Sequence, residues 1–226
     1  MKKKGIHNLS LEKAALVIVD MQKYYLSHES SYYRFFTKKY PGCMDYIFKR
    51  CDEFVVPNIK KLYEFFLHEN MNIIFLKLCG KDPKRKDLHK AFSATWQLGK
   101  TEGFADVYPL EIEAHADIID ELAPFDNNAH ITIINKTTYS PFTFTNIDSI
   151  LQEHGIKKLV FTGLATSQCV ETSARDAADR GYEVVLIEDA QADYTEESHI
   201  ASIYSSQGVC GGNIYTTDGF IELYRK

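Results

Sequence analysis

Three side chains in this sequence, those of an aspartate, a lysine and a cysteine, could together break a C–N bond. Asp20 follows a short apolar run, Lys136 follows another, and Cys169 opens a stretch of small residues. A cysteine in the first turn of a helix feels the positive end of the helix dipole, and a nearby ammonium would lower its pKa further. An aspartate could take the thiol proton and return it to a leaving amine. Spacing alone leaves structural roles open for each residue: a helix cap, a solvated lysine, an inert core cysteine.

Short apolar runs predict the strands that would position these groups. They are Ala14–Val19, Ile73–Leu78, Ile131–Ile134, Leu159–Thr162, Val184–Ile187 and Asn213–Thr216. The runs are near-continuous rather than alternating, which is typical of parallel strands covered on both faces. Two stripes with helical spacing lie between them, from Val55 to Leu67 and, with small residues, from Val170 to Ala178. This alternation predicts a three-layer α/β/α domain with a doubly wound parallel sheet.

In such sheets, loops at the carboxyl ends of the strands converge on one crevice, so we expect Asp20, Lys136 and Cys169 to meet there. Two segments do not fit the simple alternation. Residues 26–52 are rich in aromatics, and residues 80–128 are long and mostly polar. We expect a single domain over residues 1–226, with these two segments shaping a pocket or an oligomer contact.

Composition narrows the class of protein. The 226 residues are 45% hydrophobic and 25% charged, enough apolar material for a core without disulfides or a structural metal. A net charge of -5 gives no reason to expect nucleic acid as a partner. Five scattered cysteines without a CxxC pair indicate a reducing, cytoplasmic setting. No apolar stretch has the length of a signal peptide's core or a membrane span, so we expect no membrane partner.

Three segments resemble the motifs of the isochorismatase-like cysteine hydrolases, a superfamily that includes nicotinamidases, N-carbamoylsarcosine amidase and ureidoacrylate amidohydrolases. The stretch GLATSQCVETSARDAADRGYEVVLIEDAQA is similar to the family's cysteine segment. VIVDMQKYY resembles its D-x-Q-x-x-F signature, with Tyr25 in the phenylalanine position, and NKTTYSPFTFTNID resembles the block around its lysine. The matches occur in family order from about residue 14 to residue 220.

The resemblance implies a six-stranded parallel sheet and a role for each candidate. Cys169 would be the nucleophile, Asp20 the proton-transfer residue, and Lys136 the cation that keeps both poised. The family also implies a non-proline cis peptide at Leu164–Ala165, at a cost of roughly 3–4 kcal/mol. That bond would turn the Ala165 N–H toward the Cys169 N–H and complete an oxyanion hole. No organic cofactor is expected.

Weaker predictions concern the pocket and a metal. Gln22, Tyr25, Trp96, Phe104 and Tyr139 are candidates for the substrate wall, although core packing suits several of them equally well. Metal-bearing relatives use a D-x-H spacing followed closely by a second histidine. Here Asp87 and His89 have the first spacing, but the next histidine comes only at His115, so we expect no metal.

The sequence therefore predicts a cysteine-dependent amidohydrolase that cleaves a small amide or carbamoyl C–N bond through a thioester. Two alternatives stay open: an isochorismatase-type hydrolase that does not need the cysteine, and a catalytically silent binding protein on the same fold. Assembly as a homodimer or homotetramer is also expected from the resemblance.

Overall fold

The computed structural model describes residues 11, 13–104, 106–124 and 128–224. Its centre is a parallel sheet with strand order β3-β2-β1-β4-β5-β6. The strands are β1 Ala14–Val19, β2 Asn72–Leu78, β3 Ile131–Lys136, β4 Lys158–Leu164, β5 Glu183–Ala192 and β6 Ile214–Tyr215. From β1, the chain adds β2 and then β3 on one side of the sheet, and β4, β5 and β6 then follow in order on the other side of β1. The predicted six-stranded, doubly wound sheet is confirmed.

Helices cover both faces of the sheet. They are α1 Lys23–Leu26, α2 Ser31–Lys39, α3 Asp45–Arg50, α4 Val56–His68, α5 Lys90–Thr101, α6 Ile147–Glu153, α7 Glu171–Asp179, α8 Glu196–Val209 and α9 Thr217–Tyr224. A π-helical turn, Cys51–Val55, joins α3 to α4, and a second π-helical turn, Thr166–Val170, leads into α7. None of the helices in the described ranges is long and apolar enough to cross a membrane.

The alternation of side chains along β1 shows how the two layers form. Leu16 and Ile18 point into a core shared with α4, α9 and the aromatic segment. Ala15, Val17 and Val19 point to the opposite core, against α6 and α7. Both sets are fully buried, which explains why the sequence of this strand is continuously apolar.

The small residues of α7 and a glycine of β4 allow close packing beneath the site. Ala174 and Ala177 are completely buried against the sheet. Gly163 has φ +100°, and a Cβ there would lie 2.2 Å from the carbonyl oxygen of Val19. Only glycine fits at this point, where Gly163 pairs with Val19 at the end of β1 and the pairing of β4 with β5 shifts register.

Candidate active site

Asp20, Lys136 and Cys169 come together at the carboxyl edge of the sheet. Lys136 is the last residue of β3, and its ammonium reaches past the end of β2. The Nζ donates to Asp20 Oδ2 at 2.8 Å, to Cys169 Sγ at 3.3 Å and to the Thr138 carbonyl at 3.1 Å. Its three protons therefore have three acceptors. All three side chains are buried; Lys136 is 0% exposed and Cys169 is 5% exposed.

The backbone at Asp20 is held in an unusual conformation. Its φ is +51°, in the left-handed region that a non-glycine residue seldom adopts. The Asp20 N–H donates to the Leu76 carbonyl of β2 at 3.0 Å, and the Asp20 carbonyl accepts the Gln22 N–H at 2.9 Å. One carboxylate oxygen, Oδ1, has no hydrogen-bond partner among the described residues. A buried acceptor left open beside the thiol is available to a substrate N–H or a water.

Gln22 locks this turn to β2 and does not line the pocket, contrary to expectation. Its amide Nε2 donates to the carbonyls of Leu78 at 3.2 Å and Ala116 at 2.7 Å, and its Oε1 accepts the Leu78 N–H at 2.7 Å. Both of its donated bonds and the one it accepts are thus made to backbone groups. Since the side chain is fully buried, its role is to fix the position of Asp20 relative to Lys136.

The turn that carries Cys169 is tied down on both sides. The Asp193 carboxylate accepts the Ser167 N–H at 2.5 Å. The Thr166 hydroxyl is 2.8 Å from His199 Nδ1. Burial and the neighbouring Arg50 lower the pKa of His199 to about 4, so this imidazole is neutral at physiological pH. The sulfur is therefore held on a rigid turn at the N-terminal end of α7.

The prediction of a cis peptide at Leu164–Ala165 is wrong. The bond between Leu164 and Ala165 is trans, as are all peptide bonds in the described ranges. The trans form is the ordinary one because a non-proline cis bond costs about 3–4 kcal/mol. The Ala165 N–H has no hydrogen-bond partner among the described residues, and Ala165 is 3% exposed. Its contribution to an oxyanion hole remains a prediction, without the cis geometry that was its basis.

The electrostatics of the three groups differ from the sequence expectation in one respect. Burial raises the pKa of Asp20, and Lys136 opposes this only in part. Burial disfavours the Lys136 ammonium, but the Asp20 and Cys169 charges outweigh it and raise the pKa of Lys136. Burial and then Asp20 raise the pKa of Cys169. The expected low cysteine pKa is wrong because burial disfavours the thiolate and the Asp20 charge adds to this effect, and together they outweigh the opposing effect of Lys136. These directions favour a protonated thiol and a protonated Lys136 amine in the resting site.

A pocket of about 710 Å³ lies beside this site, although Asp20, Lys136 and Cys169 are not among the residues that line it. Tyr139, three residues after the lysine, lines it, as does Gln168, the neighbour of the cysteine. Its other walls come from the aromatic segment 26–52, from α5 and from the N-terminal turn of α8. The volume lies within the roughly 300–1,000 Å³ of small-molecule sites. The two segments that break the simple alternation thus both contribute to the pocket.

Four tyrosines that sequence reasoning did not connect form a cluster, and three of them, Tyr32, Tyr108 and Tyr194, line the pocket. The Tyr194 hydroxyl lies 2.5 Å from those of both Tyr25 and Tyr32, so the three are linked in a chain. The Tyr32 ring also meets the Tyr108 ring edge-on, with centroids 5.7 Å apart. Burial raises the pKa of all four hydroxyls, so they are neutral donors and acceptors. Tyr194 could have been found from its position, two residues after β5 ends at the same edge of the sheet.

Tyr25, Trp96 and Phe104 do not line the pocket, so those three predictions are corrected, although Tyr25 touches the wall through its hydroxyl bond to Tyr194. Trp96 is 7% exposed, with the Arg85 guanidinium 5.3 Å and the Lys100 ammonium 5.2 Å from its ring. Phe104 packs edge-on against Phe35, with centroids 5.9 Å apart. Both side chains fill the space behind the pocket wall.

Asp87 and His89 are occupied with structural contacts. Asp87 accepts the N–H groups of Lys81 at 2.7 Å and Asp82 at 3.3 Å, which closes a loop. His89 Nδ1 accepts the Ala91 N–H at 3.2 Å and so caps α5. A different trio within the described ranges, Asp106, Glu113 and His115, has one potential ligand atom each within 4.8 Å. Its Glu113 already binds the Leu110 N–H at 2.6 Å.

Comparison with known proteins gives a consistent picture. The family model described as the isochorismatase domain matches residues 14–218. A ureidoacrylate amidohydrolase RutB from Agrobacterium fabrum is 48% identical over 73 residues, which is 32% of this chain and 31% of that protein. RutB from Yersinia enterocolitica is 31% identical over 184 residues, covering 78% of this chain and 74% of that protein.

The fold also recurs among solved structures. A cysteine hydrolase from Pseudomonas syringae pv. phaseolicola superimposes with a TM-score of 0.76 at 20% identity, over 98% of this chain and 97% of that one. At this identity the likeness shows the fold alone.

Proposed function

Because this chain belongs to the isochorismatase family, we propose that it is an amidohydrolase that cleaves a small amide or carbamoyl C–N bond, with Cys169 as the nucleophile. The observation that carries the proposal is the shared ammonium: Lys136 Nζ lies 2.8 Å from Asp20 Oδ2 and 3.3 Å from Cys169 Sγ. A carboxylate base and a thiol are thereby held around one buried cation. The relatives named ureidoacrylate amidohydrolase support amide cleavage over other hydrolyses.

In the proposed cycle Asp20 makes the first proton transfer, and the raised pKa of the thiol supports the need for such a base. The carboxylate takes the proton from Cys169 as the sulfur bonds to the substrate carbonyl carbon, and the carbonyl oxygen becomes an oxyanion. Burial raises the pKa of Asp20, which makes it a stronger base than an exposed aspartate. Lys136 remains protonated throughout and stabilises whichever of its two neighbours carries the negative charge.

The rest of the cycle uses the same proton carrier. When the tetrahedral adduct collapses, the C–N bond breaks and Asp20 gives its proton to the departing nitrogen. A water molecule then replaces the amine, Asp20 removes one of its protons, and the hydroxide adds to the thioester carbon. The C–S bond breaks, the proton returns from Asp20 to the sulfur, and the acid product leaves. Atoms and charges balance without a cofactor.

Substrate enters through the 710 Å³ pocket and reaches the sulfur past Tyr139 and Gln168. Both residues line the pocket next to the trio, and the charge of a Cys169 thiolate raises the pKa of Tyr139 after the effect of burial. The carbonyl must therefore project beyond these two side chains while the rest of the substrate stays among the aromatic walls.

The proposal is tested by ammonia release from small primary amides, ureas and N-carbamoyl compounds. We expect Cys169→Ala and Asp20→Asn to abolish release from any compound that the wild type cleaves. The matched control is Cys210→Ala, which removes another buried thiol on the Cys169 side of the sheet, away from the pocket. Undiminished turnover by Cys169→Ala, in a protein that melts like the wild type, would exclude the thiol mechanism.

A further inference from the structure

A buried hydroxyl beside the proposed active site, that of Tyr24, has no hydrogen-bond partner. The side chain is 0% exposed, and no donor or acceptor reaches its hydroxyl in the part of the chain that the structure describes. Leaving a buried hydroxyl unpaired costs free energy, so such groups are rare in native proteins and call for a water, a ligand or a functional role. A molecule that enters the site can supply the missing partner.

Tyr24 lies next to both the trio and the pocket wall. It belongs to α1, four positions after Asp20, and its ring packs edge-on against those of Tyr32 and Tyr108, with centroids 5.6 and 6.1 Å away. Both of these neighbours line the pocket. Burial raises the pKa of Tyr24 most, and the charges of Asp20 and, more weakly, Cys169 raise it further. The hydroxyl is therefore close enough to feel both groups, and it keeps its proton.

The surrounding rings hold Tyr24 in place without using its hydroxyl. The ring of Tyr25 contacts it edge-on, with centroids 5.8 Å apart. The hydroxyls of Tyr25 and Tyr32 each lie 2.5 Å from that of Tyr194, so they are bonded away from Tyr24. Rotation of the Tyr24 ring would disturb its contacts with all three neighbouring rings. A donor fixed before the substrate arrives needs no reorganisation during the reaction.

The open groups beside the sulfur match the two ends of an amide. Asp20 Oδ1 is an open acceptor and can receive a substrate N–H, whereas the Tyr24 hydroxyl can donate to the carbonyl oxygen. Neighbouring donors are already used: the three protons of the Lys136 ammonium have acceptors, and the Ser173 hydroxyl donates to the Cys169 carbonyl at 2.5 Å. A donor at the carbonyl oxygen gains strength as negative charge develops there during attack by the sulfur.

We propose that Tyr24 is a further catalytic residue, whose hydroxyl donates to the carbonyl oxygen of the substrate and stabilises the oxyanion that forms when Cys169 attacks. This inference rests on the proposed function for the attack itself. Asp20 Oδ1 accepts an N–H of the same amide, so the two open groups bind opposite ends of one functional group.

Tyr24→Phe removes the oxygen and keeps the ring. With the amide that the wild type cleaves fastest, we expect kcat to fall about 100-fold, because one donor to the oxyanion is lost. KM should change by less than about three-fold, since the bond strengthens only in the transition state. The midpoint of urea unfolding should stay the same or rise, because the variant no longer buries an unpaired hydroxyl. A structural role would instead lower the midpoint and leave kcat unchanged.

Tyr224→Phe is the matched control. Tyr224 also has a buried hydroxyl without a partner among the described residues, but it lies at the end of α9 and borders a separate groove. Its ring packs against Phe220, with centroids 5.0 Å apart. The control should show the same response to urea as Tyr24→Phe and an unchanged kcat.

Binding of butanal tests the same donor without turnover. The sulfur of Cys169 bonds to the aldehyde carbon, the π pair of the C=O bond moves onto the oxygen, and Asp20 takes the thiol proton. The aldehyde is labelled with carbon-13 at the carbonyl, and the tetrahedral adduct is followed by NMR. We expect Tyr24→Phe to raise the dissociation constant about ten-fold or more. Tyr224→Phe should leave it unchanged, and Cys169→Ala should form no adduct.

An unchanged kcat in Tyr24→Phe, or an unchanged affinity for butanal, would overturn the inference; so would an increase in KM alone. If the wild type forms the adduct but cleaves no amide, the proposed amide substrate fails, and the butanal constants still decide the role of Tyr24. If the wild type neither cleaves an amide nor forms the adduct, Cys169 is not the nucleophile, and the inference fails with the proposed function.

Discussion

Replacing Lys136 by methionine removes the ammonium on which the site is built and leaves a chain of similar length in its place. The Asp20 carboxylate then stays buried without its partner at 2.8 Å. At that distance, two unit charges attract each other by about 6 kcal/mol at an effective dielectric constant of 20. The cost of burying both groups offsets much of this, but loss of one partner of such a pair destabilises proteins by about 3–5 kcal/mol. We expect Lys136→Met to lower the free energy of unfolding by that amount at pH 7.5.

A double-mutant cycle with Asp20→Asn measures the coupling energy between Asp20 and Lys136 separately from the other contacts of the two side chains. The double variant has no uncompensated buried charge, so it should be at least about 2 kcal/mol more stable than the sum of the single effects implies. All three variants should be inactive, since each lacks a group required for proton transfer. The assay is urea unfolding followed by fluorescence, with ammonia release measured on the same preparations.

An exposed pair of similar geometry is the control. Lys23 and Asp120 lie 2.6 Å apart, with side chains 39% and 86% exposed. The corresponding cycle, Lys23→Met with Asp120→Asn, should show no measurable coupling, because solvent screens exposed pairs. Additivity within about 0.5 kcal/mol at Asp20 and Lys136 would refute the buried ion pair as described here.

Three further predictions concern pH and backbone space. In a pH profile, kcat/KM should rise through one ionisation above pH 3.8, because burial raises the pKa of Asp20 and the base must be ionised. The same profile should show no loss of activity below pH 10.5, since the pKa of Lys136 is raised above that value. Above pH 9.0 the unfolded chain loses the Cys169 proton while the folded state keeps it, so the free energy of unfolding falls as pH rises. Urea titrations at several pH values should therefore show a decline in this free energy with pH. Cys169→Ser should make the decline shallower by up to about 1.4 kcal/mol per pH unit. Gly163→Ala should lower the free energy of unfolding by at least about 3 kcal/mol, because the added Cβ would lie 2.2 Å from a backbone oxygen. The control Gly155→Ala, with open space around it, should lower it by about 1 kcal/mol. Equal urea midpoints for the two variants would contradict the close approach at Gly163.

The sequence predicted the strands and the position of the trio because both follow from local pattern. The continuous apolar run of β1 requires helices on both faces, and the residue after it falls at the carboxyl edge of the sheet. Asp20 and Lys136 were therefore accessible from position and residue type, although they are 116 residues apart.

What the sequence could not supply depends on contacts between distant segments. Gln22 looked like a pocket residue, but it is committed to backbone groups of β2 and of the loop near residue 116. The Cys169 pKa is raised first by burial and then by the Asp20 charge, and both depend on the folded surroundings of the sulfur rather than on residue types. The hydroxyl chain through Tyr25, Tyr32 and Tyr194 joins residues up to 169 positions apart, so no local spacing marks it.

The most direct test of the account is the detection of an acyl group on Cys169 during turnover. The enzyme is mixed with excess of an amide that it cleaves, quenched in acid within milliseconds, and digested for peptide mass spectrometry. We expect the Cys169 peptide to carry the mass of the substrate's acyl or carbamoyl group, to lose it in hydroxylamine, and to show no adduct in the Asp20→Asn variant. Steady turnover with no adduct on this cysteine under any quench time, together with undiminished activity of Cys169→Ala, would contradict the covalent mechanism.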